Sequence, residues 1–247
     1  MKQEKRLMGM TIQIEITDPN VDEKIFDKVF SYFEEVDKRF SPFKEESELS
    51  KINRNEIKKD EWSNEMKEVF ELSEKTKTET NGYFDILRPD GKYNPSGLVK
   101  GWAIWEAAKL IKKKGYKNFY VDAGGDIQTF GINNEKKPWE IGVRNPFNLG
   151  EIIKKISVRD IGVATSGTYI RGQHIYNPKK PNEEINDIVS LTVIGPNIYE
   201  ADRFATAAFA MGSDGIYFIE NLPNFEGYMI DKNGIAKMTS GFEKYVI

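Results

Sequence analysis

Asp202 and Thr206 stand four residues apart in Ala201-Asp202-Arg203-Phe204-Ala205-Thr206-Ala207. On a helix, that spacing puts a carboxylate and a hydroxyl on one face, one turn apart. Hard oxygen donors so placed suit Mg²⁺, which keeps several waters and takes one or two carboxylates beside substrate phosphates. The same pair also reads as an aspartate in the first helical turn, complementing the dipole, with a packed threonine. His174 is the one histidine of the chain. Its unperturbed pKa lies near neutrality, so general-base chemistry is open to it, although a solitary loop histidine can be a satisfied surface residue. Val121-Asp122-Ala123-Gly124-Gly125-Asp126 places two glycines between strands, where a ligand can approach the backbone or the chain can simply turn. Thr165-Ser166-Gly167-Thr168-Tyr169, after an apolar strand, offers hydroxyl and amide donors to phosphate.

Composition narrows the field. The 247 residues contain no cysteine, which excludes a disulfide scaffold, a Cys-based zinc site, an iron–sulfur cluster and a thiol nucleophile. With 36 basic against 39 acidic side chains the net charge is −3, and affinity for nucleic acid through counterion release is not expected. The acidic excess lies in residues 1–90, so an anionic ligand sits more comfortably against residues 91–247. No stretch approaches the ~20 consecutive apolar residues of a membrane span. The charged start, Met1-Lys2-Gln3-Glu4-Lys5-Arg6, leads into no apolar h-region. The expected location is the cytoplasm, the alternative being an exported lipoprotein whose leader and anchor cysteine have been removed.

The elements that must position these residues follow from periodicity. Ile12, Ile14 and Ile16 alternate as a half-buried strand. Asn20 is a candidate cap for a helix with its apolar stripe at Val21, Ile25, Phe26, Val29, Phe30, Phe33 and Val36. Ser47 and Ser63 read as caps of two further helices, the first ending near Asn53 and the second near Thr80. Ser96-Gly97 opens a helix from about Leu98 to Lys114, with lysines in its last turn and Gly115 beyond. Strands are expected at Phe119–Ala123, Asp126–Phe130, Trp139–Val143, Ile152–Val158 and around Leu191–Ile194. A helix over Ala201–Met211 and a hairpin through Asp231-Lys232-Asn233-Gly234 complete the chain. Strands and helices in mixed order, without regular βαβ spacing, predict an α+β fold: antiparallel or mixed sheets with helices, two sheet-and-helix halves closed into a single domain over 1–247.

Taken in order, these segments resemble one family, the FAD:protein FMN transferases (ApbE-like flavin transferases, formerly named thiamine-biosynthesis lipoproteins). The similar runs are Met8-Gly9-Met10, Phe40-Ser41-Pro42-Phe43 with Ser47 to Asn53, Gly82-Tyr83-Phe84-Asp85, and Pro95 to Gly101. They continue with Ala123-Gly124-Gly125-Asp126, Ala164-Thr165-Ser166-Gly167, His174-Ile175-Tyr176-Asn177-Pro178 and Ala201 to Ala207. The resemblance implies a Mg²⁺-dependent enzyme that takes FAD as substrate, moves FMN onto a threonine or serine of an acceptor flavoprotein and releases AMP. It implies that Met8 and Phe43 line the flavin or adenine pocket, that Tyr83, Phe84 and Asp85 contact FAD, and that Lys100 lies near the flavin nucleotide with a catalytic part. It also implies that His174 and Tyr176 edge the reacting phosphate, and that the metal is held by Asp202, Thr206 and a backbone carbonyl near Gly97. Departures stand at Met10, where the family has Thr, at Asn94 and Asn177, where it has Asp, and at Phe43, where it often has Tyr. An amide at Asn94 still hydrogen-bonds, so it remains a candidate FAD contact. Two other readings share these residues: an FAD diphosphatase, in which water replaces the protein hydroxyl, and a flavin-binding protein without turnover.

Overall fold

The computed structural model describes residues 1–168 and 175–247. The chain opens with β1 (Lys2–Leu7), which pairs antiparallel with β2 (Met10–Ile16) across the turn at Met8 and Gly9. Sequence patterning does not mark β1 because it is an edge strand with no apolar alternation. Its polar side chains face water, Lys5 pairing with Glu34 at 2.5 Å, which protects the edge from further pairing. The isoleucines of β2 are fully buried, as their alternation predicts.

The aromatic stripe forms α1 (Lys24–Phe40) and is buried along its length. Asn20 does not cap it. That residue takes a left-handed conformation (φ 56°) in the preceding turn, and the Asp22 carboxylate accepts the Lys24 N–H instead, at 3.1 Å. Ser47 and Ser63 do cap, accepting the N–H of Ser50 and of Met66 at the starts of α2 (Glu48–Asn53) and α3 (Asn64–Glu79). Next come α4 (Ser96–Lys113), β3 (Phe119–Ala123), β4 (Asp126–Phe130), and the hairpin β5 (Trp139–Asn145) and β6 (Asn148–Val158). The chain ends with β7 (Gly162–Gly167), β8 (Ile188–Gly195), α5 (Ile198–Ala210), α6 (Gly215–Glu220), β9 (Glu226–Asp231) and β10 (Ala236–Met238).

The expected α+β class is the one adopted. Strands from both halves join in one antiparallel sheet of order β1-β2-β3-β4-β7-β8-β9-β10, the halves meeting where Ile127 opposes Val163 and Gln128 opposes Gly162. Alternation along β3 splits its side chains between two cores. Phe119, Val121 and Ala123 point into the layer of α1, α4 and α5, while Tyr120 points to the layer under the β5–β6 hairpin with Trp139, Tyr228 and Phe242. No helix among the described residues is long and apolar enough to cross a membrane.

Two features seat α5 on this sheet. The buried Gln128 amide accepts the Ile198 N–H at 2.8 Å and donates to the Thr129 carbonyl at 3.0 Å. Gly162 lies so close that a Cβ there would stand 2.1 Å from the Ile198 nitrogen. Asn197 caps the helix, its side chain accepting the Glu200 N–H. The helix therefore begins at Ile198, earlier than the alanine-rich run suggests, and Asp202 lies in its second turn. The reading of Asp202 as a first-turn, dipole-complementing carboxylate is overturned by that placement.

Candidate active site

Two glycines on α4 repeat the spacing of the two polar residues on α5. Gly97 and Gly101 face Thr206 and Asp202, and the helices touch there backbone to side chain. A Cβ at Gly101 would lie 2.5 Å from Asp202 Cβ and 2.8 Å from the Ile198 carbonyl oxygen; one at Gly97 would lie 2.9 Å from Thr206 Cγ2. Only hydrogen at both positions permits this approach. As a result the Thr206 hydroxyl donates to the Gly97 carbonyl at 3.1 Å, and the Gly101 N–H donates to Asp202 Oδ2 at 2.7 Å. Gly97, Asp202 and Thr206, separated by about a hundred residues of chain, are thus brought into one cluster.

Lys100 projects from the same turn of α4. Its ammonium pairs with Asp126 Oδ2 and lies 3.6 Å from Asp202 Oδ1. Asp126 opens β4 after the Gly124-Gly125 turn and is 2 % exposed; Asp202 is 3 % exposed. Burial and the neighbouring Asp126 charge push the Asp202 carboxyl well above the usual carboxylate range, against the pull of Lys100 and the Gly101 N–H. Among the described residues two carboxyl groups, those of Asp126 and Asp202, share this buried place with one ammonium. Among the described residues no three His, Cys, Asp or Glu side chains cluster as a metal site. The oxygens beside Asp202 are instead a hydroxyl and a carbonyl.

The other expected contacts fall in three places. Asp85 and Tyr176 meet: the Tyr176 hydroxyl donates to the Asp85 and Leu87 carbonyls at 3.2 Å, and Lys77 pairs with the Asp85 carboxylate at 2.6 Å. Lys179 lies 4.3 Å from the Tyr83 ring centre. Phe84 is buried, its ring edge against Gly97, so it supports α4 from beneath. Asn94 also serves α4, its Oδ1 accepting the Ser96 N–H at 3.2 Å and the Ser96 hydroxyl at 2.6 Å. Met8 is half-buried in the β1–β2 turn (φ 52°), at the sheet end where Met10 packs on Gly124. Phe43 is 95 % exposed on the loop after α1. His174 lies outside the described residues.

The Thr165–Thr168 run differs from its expectation. It is not a loop after a strand: Thr165 to Gly167 are the end of β7, and the Thr165 N–H is taken by Asp126 Oδ1 at 3.0 Å. The Thr168 N–H goes to the Val189 carbonyl at 3.3 Å. Those two amides are therefore committed to the sheet. Gly101 and Asp126 join the site without being expected there from the sequence. The Gly97/Gly101 spacing, matched to that of Asp202/Thr206, is the signal that marks the first. Asp126 has only its place after two glycines.

A sequence model of the ApbE family matches residues 8–90 and 87–229. The chain is 23 % identical to the FAD:protein FMN transferase of Haemophilus influenzae over 97 % of this chain and 89 % of that protein. It is 29 % identical to the one of Vibrio cholerae over 61 % of this chain and 46 % of that protein. In three dimensions it is similar to the flavin transferase ApbE from Vibrio cholerae, with a TM-score of 0.86 at 23 % identity over 99 % of this chain and 98 % of that one. The ApbE protein of Thermotoga maritima is similar as well, with a TM-score of 0.87 at 20 % identity over 99 % and 98 %. The family model spans nearly the whole chain, both helix turns of the buried cluster included, and the chain belongs to the ApbE family.

Proposed function

We propose that this chain transfers FMN from FAD onto a serine or threonine hydroxyl of an acceptor flavoprotein and releases AMP, with Mg²⁺ held by Asp202, Thr206 and the Gly97 carbonyl. The relatives named FAD:protein FMN transferase support the reaction. The observation that carries the reading is the meeting of the Gly97–Gly101 turn with Asp202 and Thr206. It gathers hard oxygen donors, a carboxylate, a hydroxyl and a carbonyl, in one place, the donor chemistry that Mg²⁺ takes. When bound, the cation neutralises charge on the diphosphate of FAD.

In the reaction the acceptor oxygen forms a bond to the FMN phosphorus, and the phosphoanhydride bond to AMP breaks. The hydroxyl proton goes to a base, and AMP leaves with the electron pair of the broken bond. The protein's work is alignment and charge compensation. Lys100 presents an ammonium to the phosphates beside Asp202. Tyr83, Asp85 and Tyr176 grip FAD, with Met8 and Phe43 as apolar surfaces for its rings. Asn94 fixes the first turn of α4, and so the Gly97 carbonyl. His174 is the proposed base. His174→Ala is expected to slow single-turnover transfer by about 10²-fold while FAD affinity changes little. An acidic limb in the pH profile that persists unchanged in the variant would assign the proton to another group.

Because the phosphate half of FAD has partners of its own, FAD with Mg²⁺ should raise the melting temperature more than riboflavin does. A ligand at ~100 times its Kd adds ~2.7 kcal/mol. Equal shifts from FAD and riboflavin would mean that Lys100 and the oxygen cluster do not address the phosphates. The activity is tested by incubating the protein with FAD and Mg²⁺, with and without an acceptor flavoprotein. Covalent FMN on the acceptor is the expected result. Free FMN alone would make the protein an FAD diphosphatase, and unchanged FAD a binding protein.

A further inference from the structure

Arg203 follows Asp202 on α5, and its side chain reaches a different helix, the last turn of α3. The side chain is 3 % exposed. Its Nη1 donates to the Glu79 carboxylate and, at 3.2 Å, to the Thr76 hydroxyl oxygen. Its Nε donates to Glu200 Oε2 at 2.8 Å, and Nη2 donates to the same oxygen. The Tyr199 and Phe204 rings flank the guanidinium, the Phe204 centre 3.9 Å away. The two carboxylates differ in what they join. Glu200 lies on α5 itself, whereas Glu79 and Thr76 belong to α3, so the arginine fork spans two helices. The end of α3 has no apolar anchor of its own. The fully buried apolar side chains of that helix, Met66 and Val69, lie in its first half. Farther along, the buried positions are Ser73, Thr76 and the cap Thr80, whose hydroxyls donate to carbonyls of the same helix.

That end of α3 is where the Tyr83–Asp85 segment begins. The Thr80 carbonyl accepts the Tyr83 N–H and the Thr80 hydroxyl accepts the Phe84 N–H, both at 3.1 Å, while Lys77 holds the Asp85 carboxylate. We propose that Arg203 is a positioning residue for FAD: through Glu79 and Thr76 it sets the last turn of α3, and with it Tyr83 and Asp85, against the helix that bears Asp202. The inference rests on the reading of Tyr83 and Asp85 as FAD contacts and adds a residue that touches neither FAD nor metal. A planar guanidinium suits this task, because donors at fixed angles set direction as well as distance. Phe84, buried against Gly97, anchors the far side of the same segment. Releasing the end of α3 therefore tilts Tyr83 and Asp85 about that anchor. The loss falls on the grip on FAD and not on the chemistry at the oxygen cluster.

A merely structural arginine would lower Tm and leave FAD alone, and its two carboxylate partners separate the cases. FAD dissociation constants are measured by equilibrium dialysis without acceptor, and KM and kcat by covalent transfer. The proteins are wild type, Arg203→Met, Glu79→Ala and Glu200→Ala. Methionine keeps an apolar stem on the Phe204 ring, alanine suits a helix, and circular dichroism checks each fold. Arg203→Met and Glu79→Ala are expected to weaken FAD binding and raise its KM at least about 5-fold, with kcat within about 2-fold of wild type. Glu200→Ala removes a partner of the same guanidinium but breaks no link between helices. It is expected to change FAD affinity less than about 2-fold, even if its Tm falls as far. The Glu79 and Glu200 arms decide the question if Arg203→Met does not fold. Wild-type FAD affinity in Glu79→Ala, an equal loss in Glu200→Ala, or a fall in kcat at unchanged KM would overturn the positioning role and leave the proposed reaction standing. If wild type binds FAD without transferring FMN, the reaction is overturned and dialysis alone decides the positioning role. Absence of FAD binding by wild type would overturn both.

Discussion

Asp202→Asn should abolish Mg²⁺-dependent transfer and at the same time make the metal-free protein more stable at neutral pH. The amide still accepts the Gly101 N–H, so the α4–α5 contact survives; alanine would leave that buried donor unmet, at a cost of ~1–3 kcal/mol. Loss of the anionic ligand removes several kcal/mol of transition-state stabilisation, or about 10³-fold in turnover. The stability effect has the opposite sign. A carboxyl whose folded pKa is raised binds its proton more tightly in the native state than in the unfolded one. Stability therefore falls as pH rises from the ordinary aspartate range through the raised value. The uncharged amide escapes that loss, and each kcal/mol recovered raises Tm by ~2–4 °C in a chain this long. Melting curves should show the variant ahead of wild type near pH 7–8 without metal, with the advantage vanishing toward pH 4. Added Mg²⁺ should stabilise wild type alone. A variant that keeps Mg²⁺-dependent turnover, or melts below wild type at pH 8, would contradict the assignment.

Gly101→Ala carries the second large effect. In an open helix interior this change gains about 1 kcal/mol. Here the new Cβ would stand 2.5 Å from Asp202 Cβ and 2.8 Å from the Ile198 carbonyl oxygen, both fixed atoms of a buried helix contact. Overpacking of that kind costs typically ~1–3 kcal/mol net of relaxation, a fall of roughly 2–12 °C in Tm. Activity should fall further than stability, because parting the helices takes Asp202 from the Gly101 N–H and Thr206 from the Gly97 carbonyl. Thermal melts and steady-state transfer by one preparation test this. Wild-type Tm together with wild-type transfer would show that the close approach is not needed.

Legibility in the sequence followed the range of each interaction. The α5 pair is visible because helical period alone puts Asp202 and Thr206 on one face. Ser47 and Ser63 are visible because a cap is a contact between residues three apart. The isoleucines of β2 declare themselves because one face of that strand is buried, whereas β1 has no buried face and no pattern. Asp126 stayed hidden for a different reason. Its partners are Lys100 on a helix and Thr165 on a strand, brought to it by tertiary pairing that no local period encodes. The first-turn reading of Asp202 failed because Asn197, a polar residue before two large apolar ones, is the true start of α5. The resemblance placed Gly97 with Asp202 and Thr206 but gave no reason for their meeting; the glycine spacing on α4 supplies it.

In the proposed reaction the oxygens of Gly97, Asp202 and Thr206 hold the divalent cation required for moving FMN to protein. Intact mass of an acceptor flavoprotein, after incubation with this protein and FAD, tests it most directly. With Mg²⁺ a mass increase of one covalent FMN per acceptor is expected with wild type, and none with Asp202→Asn or when EDTA replaces the metal. An equal FMN adduct in EDTA, or with a folded Asp202→Asn variant, would contradict it.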